Sequence, residues 1–244
     1  MHKIITELFY LNQYPKIETV AGFRNKLLLV LKVYLTVFLV LIIIAFPILN
    51  GLDKLIVKVY HHSSLTLKSK QLFPNVFHKY GYIIGVLYIS LLGPIFEEII
   101  FRLGLSFKKH HILLAFCISF IYFFRGFVPL PNLSLRLGLV ILESILAWGI
   151  IIKYTPKDEV KISYSWKVTF IVILISVFGL IHIVNYRPID FSIFWVYPFF
   201  IIPQIFMGWS ITYIRLKNGF IWGILYHFLI NSFSTALYFI FHSN

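Results

Sequence analysis

Residues 191–214 and 218–241 contain no Lys, Arg, Asp or Glu. Each run exceeds the roughly 20 apolar residues that cross the hydrocarbon core of a bilayer. Within lipid a backbone must satisfy its own N–H and C=O groups, and a single segment does so only as a helix. Shorter uncharged runs lie at 33–49, 80–96 and 168–181. Of the 244 residues, 59% are hydrophobic and 13% are charged, against about 25% charged in ordinary soluble domains. That leaves too little polar surface to cover a core of this size in water. The expectation is an all-α, polytopic transmembrane helical bundle of about seven spans: 27–49, 80–103, 110–125, 135–153, 166–185, 191–214 and 218–241. A segment turning back within 87–105 or 110–125 would change the count to six or eight. Pro198 and Pro203 are placed to kink the sixth span.

Residues 1–79 read as an N-terminal segment with the first span and a long basic loop, and 80–244 as the core. The loop, 50–79, holds Lys54, Lys58, Lys68, Lys70 and Lys79 with Asp53. Part of it can lie on the membrane as an amphipathic helix. No repeat or low-complexity linker divides the chain, which reads as one domain. The first 26 residues are polar and mixed, so no cleavable leader is expected and the first apolar run is retained.

The net charge of +13 would suggest nucleic acid in a soluble protein. Here the cations sit in short loops between spans, where they hold those loops on the cytoplasmic side and attract anionic lipid. No nucleic-acid partner is expected. Alternate loops beginning with the N-terminus carry thirteen Lys and Arg against eight in the other set. That bias predicts a cytoplasmic N-terminus. The heavy use of Ile, Phe, Tyr and Lys hints at a bacterial cytoplasmic membrane. Cys117 stands alone, which leaves no disulfide framework and no thiol metal pair.

Only nine residues are acidic, and Glu97, Glu98 and Glu143 fall inside apolar segments. A charge at mid-bilayer costs about 2.5–3.5 kcal/mol by insertion scales, so such groups pair, line wet cavities or do chemistry. Glu98 and Arg102 are four apart and share a helical face. Glu97 points about 100° away and is free to face a cavity. A carboxylate beside a second one in low dielectric gains proton affinity, which suits a general base for water. The alternative is a buried salt-bridge cluster that locks helices. Phe178 and His182 share a face of the fifth span, and a lone His there is more often a hydrogen-bonded core residue. His227 and Asn231 share a face of the last span. They can donate to an oxyanion, or make an interhelical contact worth about 1 kcal/mol. Glu97, His182 and His227 could equally be three zinc ligands. Glu143 could pair with a motif His, with Arg125 or with Arg136, or face a pore, and it reads as structural. Gly219 and Gly223 read as a close helix-packing face. Taken together, the three sets supply a base, a second water-binding group and oxyanion donors, a complete kit for peptide hydrolysis. There is no His-Glu-x-x-His and no Gly-x-Ser-Gly, and Asp53, Asp158 and Asp190 read as loop residues. Other intramembrane peptidase chemistries are set aside on these motif grounds.

The pattern resembles that of the CAAX proteases and bacteriocin-processing enzymes: EExxxR at Glu97, Glu98 and Arg102, FxxxH at Phe178 and His182, and HxxxN at His227 and Asn231. The stretch from Gly208 to Gly219 is similar to the family's lead-in to the last motif. The likeness covers about residues 80–240. It implies an intramembrane endopeptidase acting on a peptide or membrane-protein substrate. Glu97 would be general base, aided by His182. His227 and Asn231 would hold the oxyanion, and Glu98 with Arg102 would steady the helix and tune the base. It also implies a metal-free mechanism with no cofactor, zinc being the alternative. A non-catalytic scaffold acting in immunity or regulation is the second expectation.

Overall fold

The structure, a computed structural model, describes residues 2–127 and 133–242, with side chains for 6–124 and 138–241. Every regular element described is helical, and the one extended contact is an isolated bridge between Lys108 and Glu159. The helices are α1 (His2–Phe9), α2 (Phe23–Lys58), α3 (Leu65–Lys70), α4 (Leu72–Tyr80), α5 (Tyr82–Ser106), α6 (Lys109–Phe127), α7 (Leu133–Tyr154), α8 (Tyr164–Ile181), α9 (Phe191–Asn218) and α10 (Phe220–His242). Among the described residues, five segments are long and apolar enough to cross a membrane: α2, α5, α8 with its short 3-10 continuation to Tyr186, α9 and α10. Their outer faces carry Leu, Ile, Val and Phe in the open, for example Ile43, Ile83 and Phe241, as a lipid-facing surface requires. Part of α6 forms a shorter apolar helix, Lys109–Phe124.

Two stretches differ from the sequence expectation. Residues 50–79 are mostly helix. The first long helix does not stop at 49 but runs to Lys58, and α3 and α4 occupy most of residues 59–80. Asp53 is therefore a helical residue and not a loop residue. It is buried, and accepts hydrogen bonds from Ser64 Oγ (2.6 Å), Leu65 N (2.8 Å) and Thr66 N (3.2 Å). The orphan amides at a helix start need such an acceptor. Asp53 supplies it from across the turn, while Ser64 caps the same helix through Leu67 N at 3.0 Å.

The polar N-terminal stretch is ordered against α9. Tyr14, buried, donates to Leu8 O (2.7 Å) and accepts from Trp209 Nε1 (2.6 Å). Glu7 meets Lys217 Nζ (2.8 Å) and Tyr213 OH (2.9 Å). Leu8 and Tyr14 belong to the same apolar cluster as Ile99, Phe178 and Tyr226. A second, smaller cluster joins Ile56, Leu65, Tyr186 and Tyr197 at the other end of the bundle.

The prolines of α9 do more than kink it. Residues Phe191–Val196 are 3-10, Tyr197–Phe200 form one turn, and the regular helix starts at Ile202. Pro198 and Pro203 each sit in a first turn, where a missing N–H costs nothing. Arg125 and Arg136, expected as partners of Glu143, have side chains outside the described residues. Glu143 is half-buried on α7.

Candidate functional site

Helix α5 widens at Tyr88–Leu92, where the bonding is π-type and the Gly93 N–H reaches back to Tyr88 O. Pro94 follows and has no N–H. The Ile89 carbonyl is thus left without a partner in its own helix, and Asn231 Nδ2 donates to it across the α5–α10 interface at 3.0 Å. π-Bulges are frequent at functional sites, and this one lies immediately before the Glu97–Glu98 pair.

Glu98 is fully buried, and its Oε1 accepts from two cationic or potentially cationic groups. Arg102 Nη1 lies 3.1 Å away, one turn along α5. His227 Nδ1 lies 3.0 Å away, from α10. Arg102, also buried, donates its Nη2 to Gly208 O on α9 at 3.2 Å. Its guanidinium stacks on the Phe178 ring of α8 at 3.9 Å, a cation–π contact strengthened by desolvation. One carboxylate and one guanidinium thus tie four helices together. Arg215 Nε adds a long bond to Arg102 O, 3.4 Å.

Glycines allow this approach. A Cβ on Gly208 would stand 2.5 Å from the Phe178 ring and 3.1 Å from Arg102 Nη2. One on Gly223 would meet Glu98 Oε2 and Arg215 Cβ, both at 3.3 Å. Gly223 therefore serves the α9–α10 contact expected of it. Gly219 does not. It has φ +104° and ends α9, a turn position that favours glycine.

His227 lies between the two carboxylates. With Nδ1 donating to Glu98, its Nε2 faces Glu97 Oε2 at 3.7 Å. Glu97 is more open than its neighbour, with 22% of its side chain exposed against none for Glu98. A carboxylate oxygen and a bare imidazole nitrogen facing each other repel, so the pair is at ease only when one proton lies on either partner. Arg102 and Glu98 already cancel.

His182 ends α8 and starts the 3-10 turn His182–Tyr186. Its Nδ1 lies 2.7 Å from Phe178 O. A carbonyl only accepts, so Nδ1 carries hydrogen and Nε2 is the free base in the neutral ring. The ring lies 4.8 Å from the Phe178 ring, tilted by 57°, and is within electrostatic reach of Glu97 and His227. The Phe178 ring also meets His227 edge-on at 5.9 Å.

The structure therefore brings Glu97, Glu98, Arg102, Phe178 and His227 into one cluster, with His182 beside it. Asn231, expected at an oxyanion, instead bonds the α5 backbone, which leaves its second amide hydrogen. Among the described residues no group of three or more His, Cys, Asp or Glu side chains is arranged to hold a metal ion. Among the described residues, Glu97 Oε2 and Glu98 Oε2 are buried and meet no hydrogen-bond partner. Unmet buried acceptors of this kind call for a donor such as water.

Sequence reasoning assigned Glu98 to the helix and to its neighbour, and missed that it orients His227. It also placed Arg215 in a loop. The spacing Gly208, Thr212, Arg215 is helical and would have put all three on one face. Comparison of the chain with protein-family models, with curated proteins and with solved structures gives no match.

Proposed function

We propose that the chain is an intramembrane endopeptidase in which Glu97 activates water against a peptide carbonyl. The observation that carries this reading is the placing of His227 between two carboxylates inside apolar helices, with its Nδ1 hydrogen-bonded to Glu98 at 3.0 Å and its Nε2 3.7 Å from Glu97. Glu98 fixes the imidazole as the acidic member of a catalytic triad fixes its histidine. With the shared proton on His227, Glu97 is free to take a proton from water while the Nε2–H faces the developing oxyanion. His182 Nε2 offers a second acceptor for the water. The remaining amide hydrogen of Asn231 supports the oxyanion one turn from His227. Arg102 neutralises Glu98 and touches no reacting atom, so it is a positioning residue. No cofactor is required by this scheme. The resemblance to the CAAX and bacteriocin-processing enzymes supports the same roles, and peptides or membrane-protein segments are the substrates it favours.

Counting α6 and α7 as a further spanning pair gives seven spans. With the cation bias described above, we take the N-terminus as cytoplasmic and the location as a bacterial cytoplasmic membrane.

A non-catalytic scaffold is the second reading. It is favoured by the Glu98–Arg102–Gly208 ties, since the same residues lock α5, α8, α9 and α10. The two readings separate on Glu97. Glu97→Gln and His182→Ala in purified protein should leave the fold intact and lower peptide cleavage about 10²–10⁴-fold. Full turnover in both variants would discard the hydrolytic role.

A further inference from the structure

A cavity of about 900 Å³ opens between α2, α3, α9 and α10, and no member of the carboxylate–imidazole cluster lines it. Its volume falls in the upper part of the range that holds one small ligand, about 300–1,000 Å³. The wall is graded from one end to the other. Deep in the bundle it is apolar, with Val37 of α2 and Tyr226 and Ile230 of α10. Towards the end where α2 meets α3 it becomes polar, with Asn50, Thr66, Ser69 and Lys70. Among the described residues that form the wall, Lys70 alone carries a charge, and it borders the polar end. Residues of the turn after His182, Asn185 and Tyr186, close one side.

A polar mouth with a single cation above an apolar shaft fits an elongated molecule of matching polarity. We propose that this cavity binds one single-chain anionic amphiphile, its hydrocarbon tail along Val37, Tyr226 and Ile230 and its acidic head at Lys70. A neutral chain of the same length would gain the apolar contacts but not the charge at the mouth. The hydroxyl and amide groups of Asn50, Thr66 and Ser69 can hydrogen-bond the head group, and Lys70 supplies the sign preference. The site is distinct from the carboxylate–imidazole cluster: the two share helices α9 and α10 but no lining residue.

The test is native mass spectrometry of the full chain in an uncharged detergent, titrated separately with oleate, with lysophosphatidylglycerol carrying the same chain, and with oleyl alcohol. One bound anionic molecule per chain is expected, with oleyl alcohol binding at least about threefold more weakly, the scale of one exposed ion pair. Lys70→Glu, at the mouth, should erase the preference for the anionic head and leave oleyl alcohol unchanged. Ile230→Trp should fill the shaft and reduce all three ligands. Oleate alone, the lysolipid alone, or both would each support the site and name its source. Absence of a stoichiometric adduct, or equal binding by wild type and both variants, would overturn it.

Discussion

Glu98 is the residue on which the cluster turns. It is fully buried and serves Arg102 and His227 through one oxygen. Removing one partner of a buried ion pair costs about 3–5 kcal/mol, because the other charge is left uncompensated. Glu98→Gln should therefore lower unfolding stability in detergent by several kcal/mol, whereas Glu97→Gln at its more open neighbour should cost much less. Thermal or denaturant unfolding of the two variants side by side measures the difference, and equal losses would contradict the separate roles. The EExxxR spacing made the Glu98–Arg102 pair legible, since i and i+4 meet on any helix. The bond from His227 was not legible, since helical periodicity says nothing of which faces of α5 and α10 oppose each other. The Asn231–Ile89 bond was hidden for a different reason: it depends on a π-turn that frees a backbone carbonyl, and side-chain patterns do not report backbone acceptors.

At the scale of elements, the long helices were read from hydrophobic length alone, to within several residues at most ends. Within 50–79 a surface helix was expected without bounds, and none could be set, because α3 is only six residues long and so short a helix gives too few turns for a periodicity. The joint between this region and α9 is held by polar contacts. Asp190 accepts from Ser192 Oγ (2.5 Å) and Ser192 N (3.1 Å), and His62 Nδ1 lies 2.7 Å away. The Ser192 hydroxyl first, then its amide and His62, hold the Asp190 carboxyl below the usual carboxylate range. A depressed folded-state value means the contribution is present above the ordinary carboxylate value of about 4 and is lost as pH falls through the depressed one. Amide hydrogen exchange over Phe191–Val196, corrected for intrinsic rates, should therefore accelerate below about pH 4 and be unchanged between about pH 5 and 6. An identical acid response in Asp190→Asn would show that another group controls the joint.

For the whole molecule, the membrane class followed from composition, because no soluble arrangement can bury so many apolar runs. The N-terminal arm did not, since its polar residues resemble a free tail until their partners on α9 are known. Tyr14 and Trp209 form the arm's central contact. Tyr14→Phe removes the acceptor for the indole N–H and should cost about 1 kcal/mol. It should also alter the Trp209 environment, measured as a change in tryptophan emission absent from a Trp209→Phe background. The same pairing constrains biosynthesis. Tyr14 must wait for a partner 195 positions later in the chain. A nascent polypeptide halted on the ribosome before α9 emerges would hold the segment around Tyr14 open to protease, and closure would come only once Trp209 has been made.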